Sequence, residues 1–330
     1  MTEVESLVCA YLLDGKGGGT PIDWAEVQQW KAGDPPIWVH LDATAAQSEQ
    51  WLRERSGLSP YVVDGLLASE TRPHCDWFDN GVLLILRGVN LNPGEAPEDM
   101  VSIRIWIEEN RVITTRLRKL MAVQDIRSQL ETGHGPISTG HLVARLASRL
   151  AERMDPVIGD MSDRLAELET RILEAKPGRS ANLRASRSSL VDLRRMAIAL
   201  RRYLAPQRDA LNAFSQLEES WLDDRVHGRL REAVDRAARI TEELDEVRDR
   251  SAVVQDELTS RVSQSMENTM YVLTLVATVM LPLGFLTGLL GINVGGIPGT
   301  DTPWAFWAVC GILLVFLVLE LWLLKKLNWR

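Results

Sequence analysis

MYVLTLVATVMLPLGFLTGLLGIN, residues Met270–Asn293, decides how this chain is read, because no charged side chain interrupts it. The uncharged stretch reaches further still: no Asp, Glu, Lys, Arg or His lies between Asn268 and Thr300. About 20 helical residues, rising 1.5 Å each, cross a hydrocarbon core of about 30 Å. A second apolar segment, Trp304–Leu324, follows a loop that holds Gly295, Gly296 and Gly299. Two spans, near 270–290 and 304–324, with an extracytoplasmic loop over 291–303, make a membrane hairpin. The sequence is that of an integral membrane protein.

Flanking charges orient the hairpin. The loop has no Lys or Arg, whereas Lys325, Lys326 and Arg330 follow the second span. Basic residues accumulate on the cytoplasmic side, which puts both termini and the large preceding region in the cytoplasm. Met1–Leu13 contains Glu3 and Glu5 and no basic n-region, so it does not read as a secretory signal. Cys9, Cys75 and Cys310 show neither CxxC spacing nor an even-numbered framework, in keeping with a reducing compartment.

The whole chain carries a net charge of -8. Residues 268–330 hold Lys325, Lys326 and Arg330 against Asp301 and Glu320, a net +1, which leaves -9 on the cytoplasmic part. An acidic body argues against nucleic acid as a partner and suits a surface that handles cations, although solubility alone would also favour it.

Residues 1–132 read as a mixed α/β domain. Strand-like runs are Ser6–Leu13, Ile37–Leu41, Gly81–Val89, Met100–Glu108 and Arg111–Arg116, with helical patterns at Ser48–Arg55, Tyr61–Ala68 and Leu120–Leu130. In Met100–Glu108, Val101, Ile103, Ile105 and Ile107 alternate with Ser102, Arg104 and Trp106, which predicts one buried and one polar or amphipathic face. Glu109-Asn110 is a hairpin signal, and Gly133–Gly140 marks a boundary.

Residues 141–267 read as a helical stalk domain, and 268–330 as the membrane part. Leu142, Leu146, Leu150 and Met154 start one helix that carries on through Ile158, Leu165, Leu168 and Ile172 until Lys176-Pro177-Gly178 breaks it. A second helix is expected over Ser180–Leu204, stopping at Pro206. The third begins near Trp221 and meets no breaker before the membrane. Its seam of Ile240, Leu244, Val247, Ser251, Val254, Leu258 and Val262 has the three-and-four spacing of a packed helix. Continued to Leu290, that helix would be about 100 Å long. Its many acids and arginines read mostly as a solvated face with i,i+4 pairs, or as a cation-sensing cluster between neighbouring stalks.

Two spans enclose no channel, so a polar pathway requires several copies around an axis. Met270, Leu273, Ala277, Leu281 and Gly284 fall on one stripe of the first span, leading to Asn293. An apolar stripe suits a constriction that gates by dewetting, and equally suits packing against lipid or the second span. In a ring of copies, the Gly291 and Ile292 carbonyls and the Asn293 side-chain oxygen would converge as neutral oxygen ligands. Taken by itself, Gly291-Ile292-Asn293 fits a glycine turn better.

The Pro282 kink, the Gly291-Ile292-Asn293 turn and two C-terminal spans after a long helix resemble the CorA-type divalent-cation transporter superfamily. The usual signature there is Gly-Met-Asn, so Ile292 departs from it, and Gly295–Gly299 lacks the acid of a Met-Pro-Glu-type segment. That loop, Ser69–Pro73 and Arg201–Asp209 resemble the ZntB zinc-transport branch. The resemblance implies a funnel-shaped homopentamer: an α+β cytoplasmic domain, a long α-helical stalk and two C-terminal transmembrane helices. It implies a bacterial inner-membrane protein whose Gly291, Ile292 and Asn293 form the extracytoplasmic mouth. Met270, Leu273, Ala277, Leu281 and Gly284 would line the pore, with Glu267 at its inner mouth. The cargo it implies is Zn²⁺, with proton-coupled uptake suggested by the branch, Mg²⁺, Co²⁺ and Ni²⁺ as alternatives and no resident cofactor.

Zinc favours Cys and His ligands, and the first span has neither. The ion would therefore pass largely hydrated, with Asn293 touching its water shell. Glu320 is the one intramembrane acid, close to Lys325 and expected to snorkel or pair with it. His74-Cys75-Asp76, and His134 with His141, look metal-like but read better as strand and surface residues. Asp14–Gly19 lacks P-loop spacing and reads as a turn. No spacing of nucleophile and base supports an enzyme. A membrane-anchored sensor or scaffold without a pore is the competing class.

Overall fold

The computed structural model describes residues 6–174, 180–291 and 302–326, with the side chains of 180–184 excepted. Two compact units divide the chain: Met1–Glu174 with Arg184–Gln255, and Ala175–Leu183 with Asp256–Arg330.

The first unit is built on a seven-stranded sheet. Its strands are β1 (Leu7–Leu13), β2 (Gly19–Pro21), β3 (Ile37–Asp42), β4 (His74–Phe78), β5 (Gly81–Gly88), β6 (Val101–Ile107) and β7 (Arg111–Arg116), in the spatial order β2-β1-β3-β7-β6-β5-β4. Every neighbouring pair is antiparallel except β3 and β7. Glu109-Asn110 closes the β6–β7 hairpin as expected, with Glu108 N–H donating to the Arg111 carbonyl at 2.8 Å.

Short helices cover one face: α1 (Trp24–Gln29), α2 (Ala46–Glu54) and α3 (Pro60–Leu67). Val27, Trp51, Leu52, Val63 and Leu66 pack there on Val39, Leu41, Leu83 and Trp106. Against the other face lie α4 (Met121–Glu131), α5 (Thr139–Glu152), the end of α7 (Ser180–Ser215) and the start of α8 (Asp224–Leu290). Leu142, Leu146, Phe214 and Leu230 meet Trp38, Leu84, Ile103 and Ile105 in that core. With helices on both faces, β6 has no solvent side. Ser102, Arg104 and Trp106 are as buried as the isoleucines between them, which corrects the expected polar face.

Two helical boundaries also differ from expectation. The stretch from His141 to Ile172 is two helices, α5 and α6 (Asp155–Glu174), with a turn at Arg153-Met154. Pro156 has no N–H to continue the α5 ladder, but it is well tolerated in the first turn of α6. Conversely, Pro206 does not end α7, which runs to Ser215. The interior proline costs about 3 kcal/mol, yet Ala210, Leu211 and Phe214 beyond it are buried in the main core and offset that cost.

Asp223 caps α8, its Oδ1 accepting the Val226 N–H at 2.8 Å. The seam is buried from Ile240 through Leu258 and opens at Val262. Arg236–Asp155, Arg201–Asp245 and Arg250–Glu169 pair at 3.0, 2.7 and 2.6 Å, tying α8 to α6 and α7. Along α8 itself, Arg250–Glu246 and Arg261–Glu257 are the expected i,i+4 pairs. The second unit holds the rest of α8 and α9 (Ala305–Lys326).

Candidate ion pathway

The C-terminal part of α8 and the whole of α9 are long and apolar enough to cross a membrane, with mean hydropathy of 2.1 and 2.5 in their most apolar windows. Polar groups within the α8 span are turned back on the helix. Thr278 Oγ1 donates to the Thr274 carbonyl at 2.8 Å and Thr287 Oγ1 to the Leu283 carbonyl at 3.0 Å. A hydroxyl satisfied in this way adds no unmet donor to an apolar surrounding. Pro282 sits inside the helix, and its missing N–H withdraws one donor from the Thr278 carbonyl.

Met270, Leu273, Ala277, Leu281 and Gly284 are all exposed on α8. At about 100° per residue they fall on one face roughly 80° wide. The less exposed residues Leu275, Val279, Pro282 and Leu286 centre about 180° away. The stripe thus lies on the more open side of a span that is exposed nearly all round, and its side chains are apolar. Glu267 is exposed one turn earlier but rotated about 80° from the centre of the stripe, at its margin rather than in line with it. Gly291 closes the helix, its N–H donating to the Thr287 and Gly288 carbonyls at 3.0 and 3.2 Å. Ile292 and Asn293 lie outside the described residues.

The fold has known counterparts. The family model described as CorA-like Mg2+ transporter protein matches residues 34–326. The chain belongs to the CorA family. Over 325 residues it is 38% identical to the divalent cation transporter CmaX of Pseudomonas aeruginosa, covering 98% of this chain and 96% of that one. It is 35% identical over 322 residues to the zinc transport protein ZntB of Pectobacterium carotovorum, covering 98% and 95%. The solved structure of full-length CmaX matches with a TM-score of 0.83 at 37% identity, covering 98% of each chain. This CorA-family chain is a divalent-cation transporter and not an enzyme.

Other groups singled out in the sequence have local explanations. Among the described residues no three His, Cys, Asp or Glu side chains gather as a metal site. His74 and Asp76 share one side of β4, with Nε2 and Oδ2 3.6 Å apart, and His74 Nδ1 lies 2.8 Å from the Arg72 carbonyl. His141 and His134 converge on Arg145, whose Nε donates to His141 Nε2 at 3.2 Å and whose Nη1 donates to the His134 carbonyl. Burial first, then Arg145, Arg229 and Arg225, hold the His141 imidazole down at about 4, so it is neutral and accepts that bond. In the Asp14–Gly19 turn, Asp14 Oδ1 accepts the N–H groups of Lys16 and Gly18 at 2.7 and 2.8 Å, and these bonds lower its pKa. The carboxylate occupies donors that a phosphate would need.

On α9, Glu320 does not make the ion-pair half of the expected alternative: no ion pair joins it to Lys325 within 4 Å, the residue is partly buried, and its Oε2 is buried without a hydrogen-bond partner. Lys326 instead lies 4.8 Å over the Trp322 ring.

Proposed function

We propose that five copies of the chain assemble in a bacterial inner membrane, with both termini cytoplasmic, and take up Zn²⁺ through a central pore lined by α8. The observation that supports this most is the open apolar face of Met270, Leu273, Ala277, Leu281 and Gly284. One hairpin encloses nothing, so such a face becomes a conduit only when several copies present it to a shared axis. Apolar side chains there make a gate that closes by dewetting, and the small Ala277 and Gly284 leave it room to open.

Gly291, Ile292 and Asn293 form the mouth, where neutral oxygens meet the water shell of the arriving ion. A span without Cys or His holds no ligand set for a bare Zn²⁺, so the ion keeps most of its water. Zinc as cargo rests on the zinc transport proteins among the relatives. Mg²⁺, Co²⁺ and Ni²⁺ are the competing cargoes. Proton coupling runs through Glu320 or the acids of the stalk, since no Asp, Glu, Lys, Arg or His lies between Glu267 and Asp301.

Proteoliposomes loaded with a zinc-sensitive dye test this. The parent chain admits Zn²⁺ and Asn293→Ala admits little or none. Equal flux in the two would refute the proposed mouth, and the same assay with Mg²⁺, Co²⁺ and Ni²⁺ ranks the cargoes.

A further inference from the structure

Two motifs unused by the transport pathway meet at one place. Ser69–Arg72, which follows α3, and Arg202-Tyr203 on α7 line a cavity of about 770 Å³ in the first unit, with the ends of β5, β6 and β7 supplying the rest of its wall. Small-molecule sites commonly occupy about 300–1,000 Å³.

Arg87 holds the walls together. Its Nε and Nη2 donate to the Thr71 carbonyl at 3.2 and 2.7 Å, and its Nη1 donates to the Met100 carbonyl at 2.9 Å. Its guanidinium stacks 4.0 Å from the centre of the Tyr203 ring, and its backbone N–H donates to Gln207 Oε1 at 2.6 Å. One side chain thus fixes the loop after α3, the loop before β6 and α7.

Deeper in the same region, Arg104 is fully buried. Its Nη2 donates to the Ala68 and Ser69 carbonyls, but Nε and Nη1 have no partner, and no carboxylate lies within 4 Å among the described residues. Burial first, and Arg87 second, push its pKa down to about 10.

The lining itself is unsatisfied. Thr71 is 9% exposed and its Oγ1 has no hydrogen-bond partner; a buried Glu98 Oε2 also has none. Arg72, Arg87, Arg118 and Arg202 share the wall with Glu70, Glu98 and Asp99. Among the described residues no ion pair joins any of these guanidiniums to any of these carboxylates; Arg118 reaches outward to Glu95 at 3.3 Å. Opposite charges that face one cavity without neutralising each other are available to a ligand that carries both signs. Planar guanidiniums take phosphate oxygens two at a time, and carboxylates take a divalent cation.

We propose that this cavity binds a nucleotide-sized phosphate ester as its divalent-cation complex, with Arg72 and Arg202 on the phosphates, Thr71 donating to them, and Glu98 facing the cation. The site is independent of which ion crosses the membrane.

Equilibrium dialysis of labelled ATP against the full-length protein in lipid nanodiscs tests it, with Mg²⁺ or with EDTA. Saturable binding is expected with Mg²⁺ and is weakened at least about tenfold in Arg72→Ala/Arg202→Ala, since each lost charge-assisted bond is worth a factor of that order. Both side chains are exposed, so the double variant keeps the melting behaviour of the parent. Thr71→Val, close to isosteric, weakens binding. No saturable ATP binding, or binding unchanged in the double variant, overturns the site. Binding as tight in EDTA overturns the role of the cation, and inorganic phosphate binding as tightly as ATP overturns the ligand size.

Discussion

Leu146 of α5 and Leu314 of α9 are the same side chain in the same kind of element, yet the first is fully buried and the second is 64% exposed. The contrast extends to their surroundings. Around Leu146 the sheet and helices close on each other, and Trp38, Leu84, Ile105 and Phe214 lose all contact with solvent. Around Leu314 no residue of α9 is buried. The body carries its own interior, whereas α9 has none among the described residues. Apolar surface that would mark an aggregation-prone patch on a soluble domain is here the surface that function needs.

Truncating side chains should break that symmetry most strongly. Phe214→Ala and Leu146→Ala each destabilise the body by about 3–5 kcal/mol, because a cavity is left in a closed core. Leu314→Ala costs less than about 1 kcal/mol, having no cavity to leave. Urea unfolding of the full chain in detergent, followed by circular dichroism, measures both. A comparable loss for Leu314→Ala would mean that α9 is packed in the protein and not against lipid.

Acid sharpens the same contrast. His40 on β3 is fully buried beside Thr114, and burial, then Arg116 and Arg127, push its pKa down to about 3 from an ordinary 6.5. The folded body keeps the ring neutral while the unfolded chain takes up a proton below 6.5. Stability contributed by His40 is therefore complete above pH 6.5 and declines as the pH falls towards 3, by about 1.4 kcal/mol per pH unit for one proton. His40→Gln should flatten that slope in a pH series of unfolding midpoints. The α8 span, with no Asp, Glu or His between Glu267 and Asp301, should hold its helicity over the same range.

Surface charge is the smallest effect. Arg153 grips Asp125 with two bonds of 2.7 and 2.6 Å in a partly shielded site, so Asp125→Ala costs about 1 kcal/mol. Arg171–Glu167 is exposed at both ends, and Arg171→Ala costs about 0.3 kcal/mol. Added salt should narrow the gap between these variants and the parent.

The hairpin and the long helix were legible because twenty uncharged residues have few alternatives in a folded chain. β1 and β5 were legible from apolar runs of five residues or more, β6 from its alternation, and β3 and β7 from shorter apolar, β-branched stretches. The short elements were not. β2 has three residues, α1 has six, and β4 spends His74, Cys75 and Asp76 on an edge, so none shows a period. Arg104 misled for a different reason: a charge in an alternating strand marks solvent unless remote carbonyls take it, and Ala68 and Ser69 are remote. Pro206 misled because its local cost was visible and the distant core that offsets it was not. The stripe from Met270 to Gly284 was legible because helical spacing alone sets which residues share a face.

Thiol scanning of α8 tests the pore most directly. In a Cys310→Ser background, burial pushes the two remaining thiols, Cys9 and Cys75, up to about 12, and the effect of the reagent on that background alone is the baseline. Leu273→Cys, Leu281→Cys and Val279→Cys are compared for zinc flux before and after a charged methanethiosulfonate reagent. A pore lined by the open face predicts block at Leu273→Cys and Leu281→Cys, with Val279→Cys unaffected. Block at Val279→Cys alone, or equal block at all three, would contradict it.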